Sequence, residues 1–415
     1  MKTNLFDAFT MNLQLFAYDP TAQPVNYTGS SDLSVEMKTY YDMNLVDEAS
    51  PLLVHEQFAD DSPIPKNHGK TIEWRKYAPL AKAITPLTEG VTPDGKALVV
   101  SNITATINQY GDFVVLTDIL KLTAIDNNVL EATKLLGRQS GLTMDTVVRN
   151  ELLTGGIARY ASSWSGTTET THSARQQVNK LSTLTVYEVQ KAVRSLRRNN
   201  APTFPDGYYR AIVHPDVLFD LMRDPDWTDA HKYAAPEELF KGEVGRIAGV
   251  RFVQTTEAKI FKGANLNGNS RTLTAGATSA STTVSLSGSP GLTVDALKDR
   301  YVLIGNQRVK VTANAAAQLT VDTAVTCDAS TTVYPGEGGA EGCAIYICQF
   351  LGKGAYRKTS VEGGGLETII EPPHDPLHQK SSIGWKGTKT AKIIHSNYIV
   401  SLECSSSNSD EAVEN

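Results

Sequence analysis

Between Thr123 and Thr154 the chain runs without a proline, and its apolar residues recur at helical spacing. Ile125, Val129, Ala132 and Leu136 share one stripe of a helix, and Met144, Val148 and Leu152 extend it. Thr123 followed by Asp126 fits a capping box, and Gly155-Gly156 supplies a stop where a left-handed residue is cheap. At 1.5 Å per residue such a helix spans roughly 45 Å, long for one compact domain. Gly137 and Gly141 each cost about 1 kcal/mol relative to alanine. They mark either a bend or a face where another backbone passes close. A helix of this length is a beam for other elements, not the wall of a catalytic pocket.

The totals remove several classes of function. With 415 residues, 40% hydrophobic and 20% charged, the chain has apolar surface for two or three soluble domains. A net charge of −6 excludes a global basic footprint for nucleic acid, where Lys and Arg must neutralise phosphates. Cys327, Cys343, Cys348 and Cys404 form no CxxC pair, and the Cys343–Cys348 step is poor for zinc. Reduced structural thiols inside a cell are expected. No run approaches the roughly 18 apolar residues of a membrane span. Residues 1–17 include Asp7 and asparagines and lack the apolar centre of a secretory leader.

Before the long helix stands a ribbon. Lys70 to Tyr77 alternates, with Ile72 and Trp74 on one face against Glu73 and Arg75 on the other, as in a half-exposed strand. Pro79, Pro86 and Pro93 stiffen the next stretch, which ends in the turn dipeptide Asp94-Gly95. Strand character returns at Leu98–Val100, at Ile103, Ala105 and Ile107, and at Phe113–Leu116. The sum is a long hairpin with a polar, proline-braced end. Two-stranded hairpins are marginal in water, so this one needs a partner surface: its own sheet or another copy of the chain.

The segments Gly69-Lys-Thr-Ile-Glu-Trp-Arg-Lys-Tyr-Ala-Pro-Leu80 and Ala83-Ile-Thr-Pro-Leu-Thr-Glu-Gly-Val-Thr-Pro-Asp-Gly95 resemble the extended loop of major capsid proteins of tailed bacteriophages, of a podophage-type family. Met11-Asn-Leu-Gln-Leu-Phe-Ala17 is similar to the opening of many head proteins from phages of Gram-positive hosts. The resemblance runs from Met11 to Phe261 and from Gly342 to Cys404. It implies an α+β chain with the Hong Kong phage-type capsid fold, assembling as pentamers and hexamers of an icosahedral shell. The domain plan it implies is an N-terminal arm (1–65), an extended loop (66–116) and a peripheral domain with a spine helix (117–182). A central domain (183–262) and its return strands (342–404) flank an insertion (263–341), and a polar acidic tail (405–415) is expected to be disordered. Trp74, Tyr77, Leu87 and Val91 would be the apolar inter-subunit anchors, with Arg75 and Glu89 fixing register. The implied partners are sibling copies, a separate scaffolding protein, a portal, a decoration protein, and packaged DNA held weakly and without sequence preference. No membrane, metal or cofactor is called for. The stretch before the hairpin is too short for a fused scaffolding segment. The implied location is the virion, assembled in the host cytoplasm.

The rest of the chain is read from its residues. Thr185 and Glu188 cap a helix with Val186, Val189, Val193 and Leu196 on its buried stripe. Arg197 and Arg198 close it, as dipole-complementing cations more readily than as nucleic-acid contacts. Tyr208–Val213 is a strand, and His214-Pro215 opens a helix that Pro225 is expected to end. His214 invites a reading as a general base, but no nucleophile or carboxylate pattern serves it, so a structural role is expected. From Gly263 to Glu341 Gly, Ser, Thr and Ala dominate and short β patterns recur, as in a small β-barrel or sandwich set into a parent domain. Gly352–Lys358 is glycine-rich and basic but lacks Walker spacing. His374 and His378 have chelating spacing only on a helix, which Pro372, Pro373 and Pro376 forbid.

Three functions fit this plan: a phage coat subunit, a nanocompartment shell of the same fold, and a glycan-binding adhesin or hydrolase using residues 263–341. No paired acid–base constellation supports hydrolysis, and no aromatic cluster marks a glycan site. The coat subunit leads.

Overall fold

The computed structural model describes residues 45, 49, 53–87, 89, 90, 92, 94–123, 128–231, 245–268, 270–274, 277–288, 291–371 and 379–415. Most of the expected arm lies outside them, as do Val91 and the His374/His378 motif. The chain divides into a larger unit (49–110, 139–365, 387–415) and a smaller one (1–48, 111–138, 366–386).

The larger unit is built on a seven-stranded mixed sheet. Its centre is Ile345–Leu351, buried at every position. An uninterrupted apolar run of this kind belongs to a strand covered on both faces. It pairs antiparallel with Tyr209–Val213 on one side and Ile399–Cys404 on the other. Beyond these lie parallel partners, Val250–Gln254 and Ile157–Tyr160. The helix Val186–Arg198 packs its expected stripe here: Val189, Val193 and Leu196 join Phe252 and Phe350 in one core cluster. Thr185 caps it, accepting from the Glu188 N–H at 3.5 Å, and Arg197 and Arg198 occupy its last turn. Pro225 does not merely end the Pro215–Met222 helix. It begins another, Pro225–His231, where its missing N–H costs nothing.

The long helix runs unbroken from Asn128 to Leu153, with Gly137 and Gly141 both buried within it. No break occurs at the glycines. Thr123, expected as its cap, lies instead within the helix Asp118–Thr123, and Ile125 and Asp126 lie outside the described residues. Val148 and Leu152 pack with Val54, Ile212, Tyr356 and Ile399. A polar contact is buried in the same region. Asp145 accepts from the His55 backbone N–H at 2.7 Å and meets His55 Nδ1 at 2.6 Å, while the Tyr356 hydroxyl donates to His55 O. This ties the segment before the ribbon to the helix.

Within the stretch expected as an insertion the strands form a sheet of their own. Six strands run in the order 271–272, 332–334, 301–304, 307–315, 318–327 and 277–285. Gly305, at φ +60°, allows the tight turn between Tyr301–Ile304 and Gln307–Ala315. Val302, Ile304, Val309, Val311, Leu319 and Val333 lie in a core of its own. The strands on either side of it, Ile260–Phe261 and Ile345–Leu351, pair with each other, so the chain leaves and re-enters the body at one point. The two crossing segments are pressed together there: a Cβ on Gly263 would overlap Pro335 O, and one on Gly342 would lie 2.6 Å from Asn265 N.

The tail departs from expectation. Ser405, Ser406, Ser409 and Ala412 are buried, and Asn415 bonds the Ile260 N–H at 3.0 Å and Ala258 O at 2.9 Å. Its polar composition reads as solvated chain, but the serines and asparagine satisfy backbone and side-chain groups of the body instead, as at Ser407 N–H to Asp220 (2.9 Å).

In the smaller unit, Glu367–Glu371 pairs antiparallel with Ser382–Lys386. The latter belongs to one long strand, Lys380–Ile393.

Two stability outcomes follow. Gly263→Ala should destabilise the chain by about 1–3 kcal/mol, as an overpacked site does, whereas Gly95→Ala, with no atom within 4 Å of the new Cβ, should be near neutral. Asp145→Ala orphans two buried donors and should cost about 2–5 kcal/mol. Urea midpoints of the purified variants check both.

Candidate assembly surfaces

Thr71–Tyr77 and Val100–Thr106 form an isolated two-stranded antiparallel sheet, in register from Thr71↔Thr106 to Tyr77↔Val100. Between them, residues 78–99 carry no regular structure among those described. The base of this ribbon is anchored: Trp74, Ala105 and Ile107 are buried, and Lys76 Nζ donates to Ile394 O at 3.1 Å. The end is not. Tyr77 is 58% exposed, Leu80 58%, Ile84 83%, Leu87 77%, Leu98 67% and Val99 64%.

The residues singled out from the sequence therefore separate. Arg75, Tyr77, Leu87 and Glu89 are exposed, and Val91 lies outside the described residues. Trp74, expected as an inter-subunit anchor, is only 7% exposed and is already buried within its own chain. Its indole N–H has no hydrogen-bond partner among the described residues. Alternation places Trp74 on the inward face of the strand, and Thr71, Glu73, Arg75 and Tyr77 on the outward one. Leu80, Ile84, Leu98 and Val99 were not singled out. Their signal was present, since apolar residues in a proline-braced turn have no local core to enter.

A second surface lies in the smaller unit. Gly111, Asp112, Phe113, Ile369, Glu371, Ser382, Gly384 and Trp385 line a cleft of about 370 Å³. Two glycines shape it: a Cβ on Gly384 would stand 2.8 Å from Phe113 Cβ, and one on Gly111 would stand 2.6 Å from Trp385 O. Phe113 is left 65% exposed, Val115 49% and Ile369 39%. The run Phe113–Leu116 lies in the strand Asn108–Thr117, as its pattern suggests, and only Leu116 of it is buried. Contiguous apolar surface of this kind marks a place that another molecule covers.

The catalytic reading of His214 finds no support. Its Nδ1 caps the following helix, accepting from the Asp216 N–H at 3.3 Å. The Tyr346 hydroxyl donates to Asp216 at 2.8 Å. Burial holds the imidazole below its ordinary range against the opposing pull of Asp216. Burial, then the bond to Asp216, pushes the Tyr346 phenol well above its usual value. All four cysteines are free, and burial raises the Cys343 thiol to about 11, which suits an inert packing residue. Among the described residues no group of three His, Cys, Asp or Glu converges to hold a metal, and no helix is long and apolar enough to cross a membrane.

Residues 101–254 match a family model described as phage capsid protein. The structure is similar to the capsid asymmetric unit of cyanophage Pam1, with a TM-score of 0.55 at 12% identity, covering 94% of this chain and 99% of that one. It is also similar to the capsid of Ralstonia phage GP4, with a TM-score of 0.54 at 12% identity, covering 94% and 96%. For the capsid of cyanophage P-SCSP1u the TM-score is 0.50 at 11% identity, covering 83% and 86%. No curated protein matches the chain. At such identities the likeness is one of fold.

Burial predicts how ribbon substitutions divide. Trp74→Ala should cost about 3–5 kcal/mol, while Leu87→Ala should stay within about 0.5 kcal/mol. Chemical denaturation of the unassembled subunit measures both.

Proposed function

We propose that this chain, a phage capsid protein by its family domain and by its fold, is the major coat subunit of a tailed-phage head, closing an icosahedral shell as pentamers and hexamers around double-stranded DNA. The observation that carries the reading is the ribbon, whose base is tied into its own subunit while its end presents five exposed large aliphatic residues, Leu80, Ile84, Leu87, Leu98 and Val99. Such surface is costly in a monomer and pays only when a neighbour covers it.

In this reading the ribbon end of one copy lies in the Phe113–Ile369 cleft of the next. Leu87 and Val91 supply apolar contact, Tyr77 packs at the neck, and Arg75 and Glu89 set register. Trp74 acts one step back, holding the ribbon base in place. Each contact is modest, but contacts repeated around a closed ring act at high effective concentration, so the shell is far more stable than any single pair.

The role is structural. A scaffolding protein and a portal supplied as separate chains complete the head, assembled in the host cytoplasm, and a decoration protein has the insertion as its outward platform. A subunit with a net charge of −6 suits DNA held loosely and without sequence preference. The nanocompartment reading shares the fold but is not favoured, because the family match is to phage capsid protein. The adhesin reading has no aromatic or acid–base cluster behind it.

Deleting residues 81–96, or substituting Phe113→Glu, should leave a folded subunit with an unchanged far-ultraviolet circular dichroism spectrum and no shells. Negative-stain micrographs of the chain expressed with its neighbouring head genes read the outcome. Shells of normal size from the deletion would overturn the docking scheme.

A further inference from the structure

A cleft of about 340 Å³ opens at the seam where the inserted sheet meets the body, and the C-terminal stretch forms part of its wall. Its charged lining is Lys180, Lys262 and Arg300 against Glu341 and Asp410. These charges are unevenly paired. Lys180 Nζ lies 2.7 Å from the Asp410 carboxylate. Lys262 Nζ instead donates to two backbone carbonyls, Ala412 O at 2.8 Å and Asp410 O at 3.2 Å. Among the described residues, no carboxylate stands within ion-pair distance of Lys262 or Arg300.

At longer range Asp410 draws on Lys262 and Glu414 on Arg300, but neither cation is in an ion pair, and the two come from opposite sides of the seam. Lys262 follows the body strand Ile260–Phe261, and Arg300 precedes the insertion strand Tyr301–Ile304. They are close enough to repel: burial first, then the Arg300 guanidinium, holds the Lys262 ammonium below its usual range. Asn265, Thr293 and Ser409 add uncharged polar groups to the same lining. Two like charges facing a partly desolvated polar space are satisfied together by one ligand with several acceptor oxygens, through charge-assisted hydrogen bonds.

We propose that this cleft binds a small oxyanion of the phosphate type between Lys262 and Arg300, and that the bound anion braces the insertion against the body. The cleft has room for more than a bare anion, so its ligand is either free phosphate or the phosphoryl group of a phosphomonoester. The backbone pinch at Gly263 and Gly342 fixes the floor beneath it, which holds the two cations in place without a ligand.

The test uses the full chain as unassembled subunit, in phosphate- and sulfate-free buffer at constant ionic strength, titrated calorimetrically with sodium phosphate. One saturable site per chain is expected. Arg300→Gln and Lys262→Gln should each weaken it about tenfold, the loss of one charge-assisted bond. Arg300 is partly exposed, so its substitution leaves the fold intact, and near-ultraviolet circular dichroism verifies this. Competition with glucose 6-phosphate separates the sources: displacement at similar affinity assigns the site to a phosphomonoester, and failure to displace assigns it to the free ion. Binding that does not saturate, or that is unchanged in both variants, overturns the proposal.

Discussion

The structure depends on one strand. Ile345–Leu351 contributes seven buried residues and pairs with Tyr209–Val213, Ile399–Cys404 and Ile260–Phe261. Its partners are drawn from distant parts of the chain, so the sheet can close only after most of the polypeptide has been made. Non-local pairing of this kind forms slowly, because loop-closure entropy is spent before the contacts that repay it are made. A subunit with such a topology spends time with apolar strands unpaired, which favours folding in an assisted or dilute setting.

Against this satisfied centre, the ribbon and the cleft stand out as unsatisfied. The body leaves apolar side chains such as Leu181, Phe219, Val294 and Val413 exposed one by one, whereas the ribbon end and the Phe113–Ile369 face each gather several. That contrast argues that the exposure belongs to the subunit's working state and is no accident of a loose fold. The same division explains why Trp74 and Leu87, neighbours in one motif, differ in kind. One is buried in its own subunit and the other is left in water.

Much of this was legible in the sequence. The long helix, the strand Tyr209–Val213 and the Thr185 cap followed from periodicity and capping chemistry, which are local. The insertion was visible as a change in composition, and its single point of attachment makes it independent of the body. What escaped was decided by tertiary packing. Trp74 faces inward because the ribbon base meets the body, and no local pattern says which face of a half-exposed strand that will be. Residues 405–415 look solvated by composition, yet they are held by groups on distant elements, Asp220 and Ile260 among them. The apolar run Phe113–Leu116 shows strand character in the sequence, but its pattern does not say that only Leu116 is buried.

The antiparallel pairing of Ile260–Phe261 with Ile345–Tyr346 carries an evolutionary consequence. Since exit and return already lie side by side in the body, the β-module between them is topologically a decorated hairpin loop. A short turn would close the same gap, so lineages can gain, lose or exchange the module without disturbing the strands of the body. Diversity on one part of the molecule is thereby uncoupled from constancy in the rest.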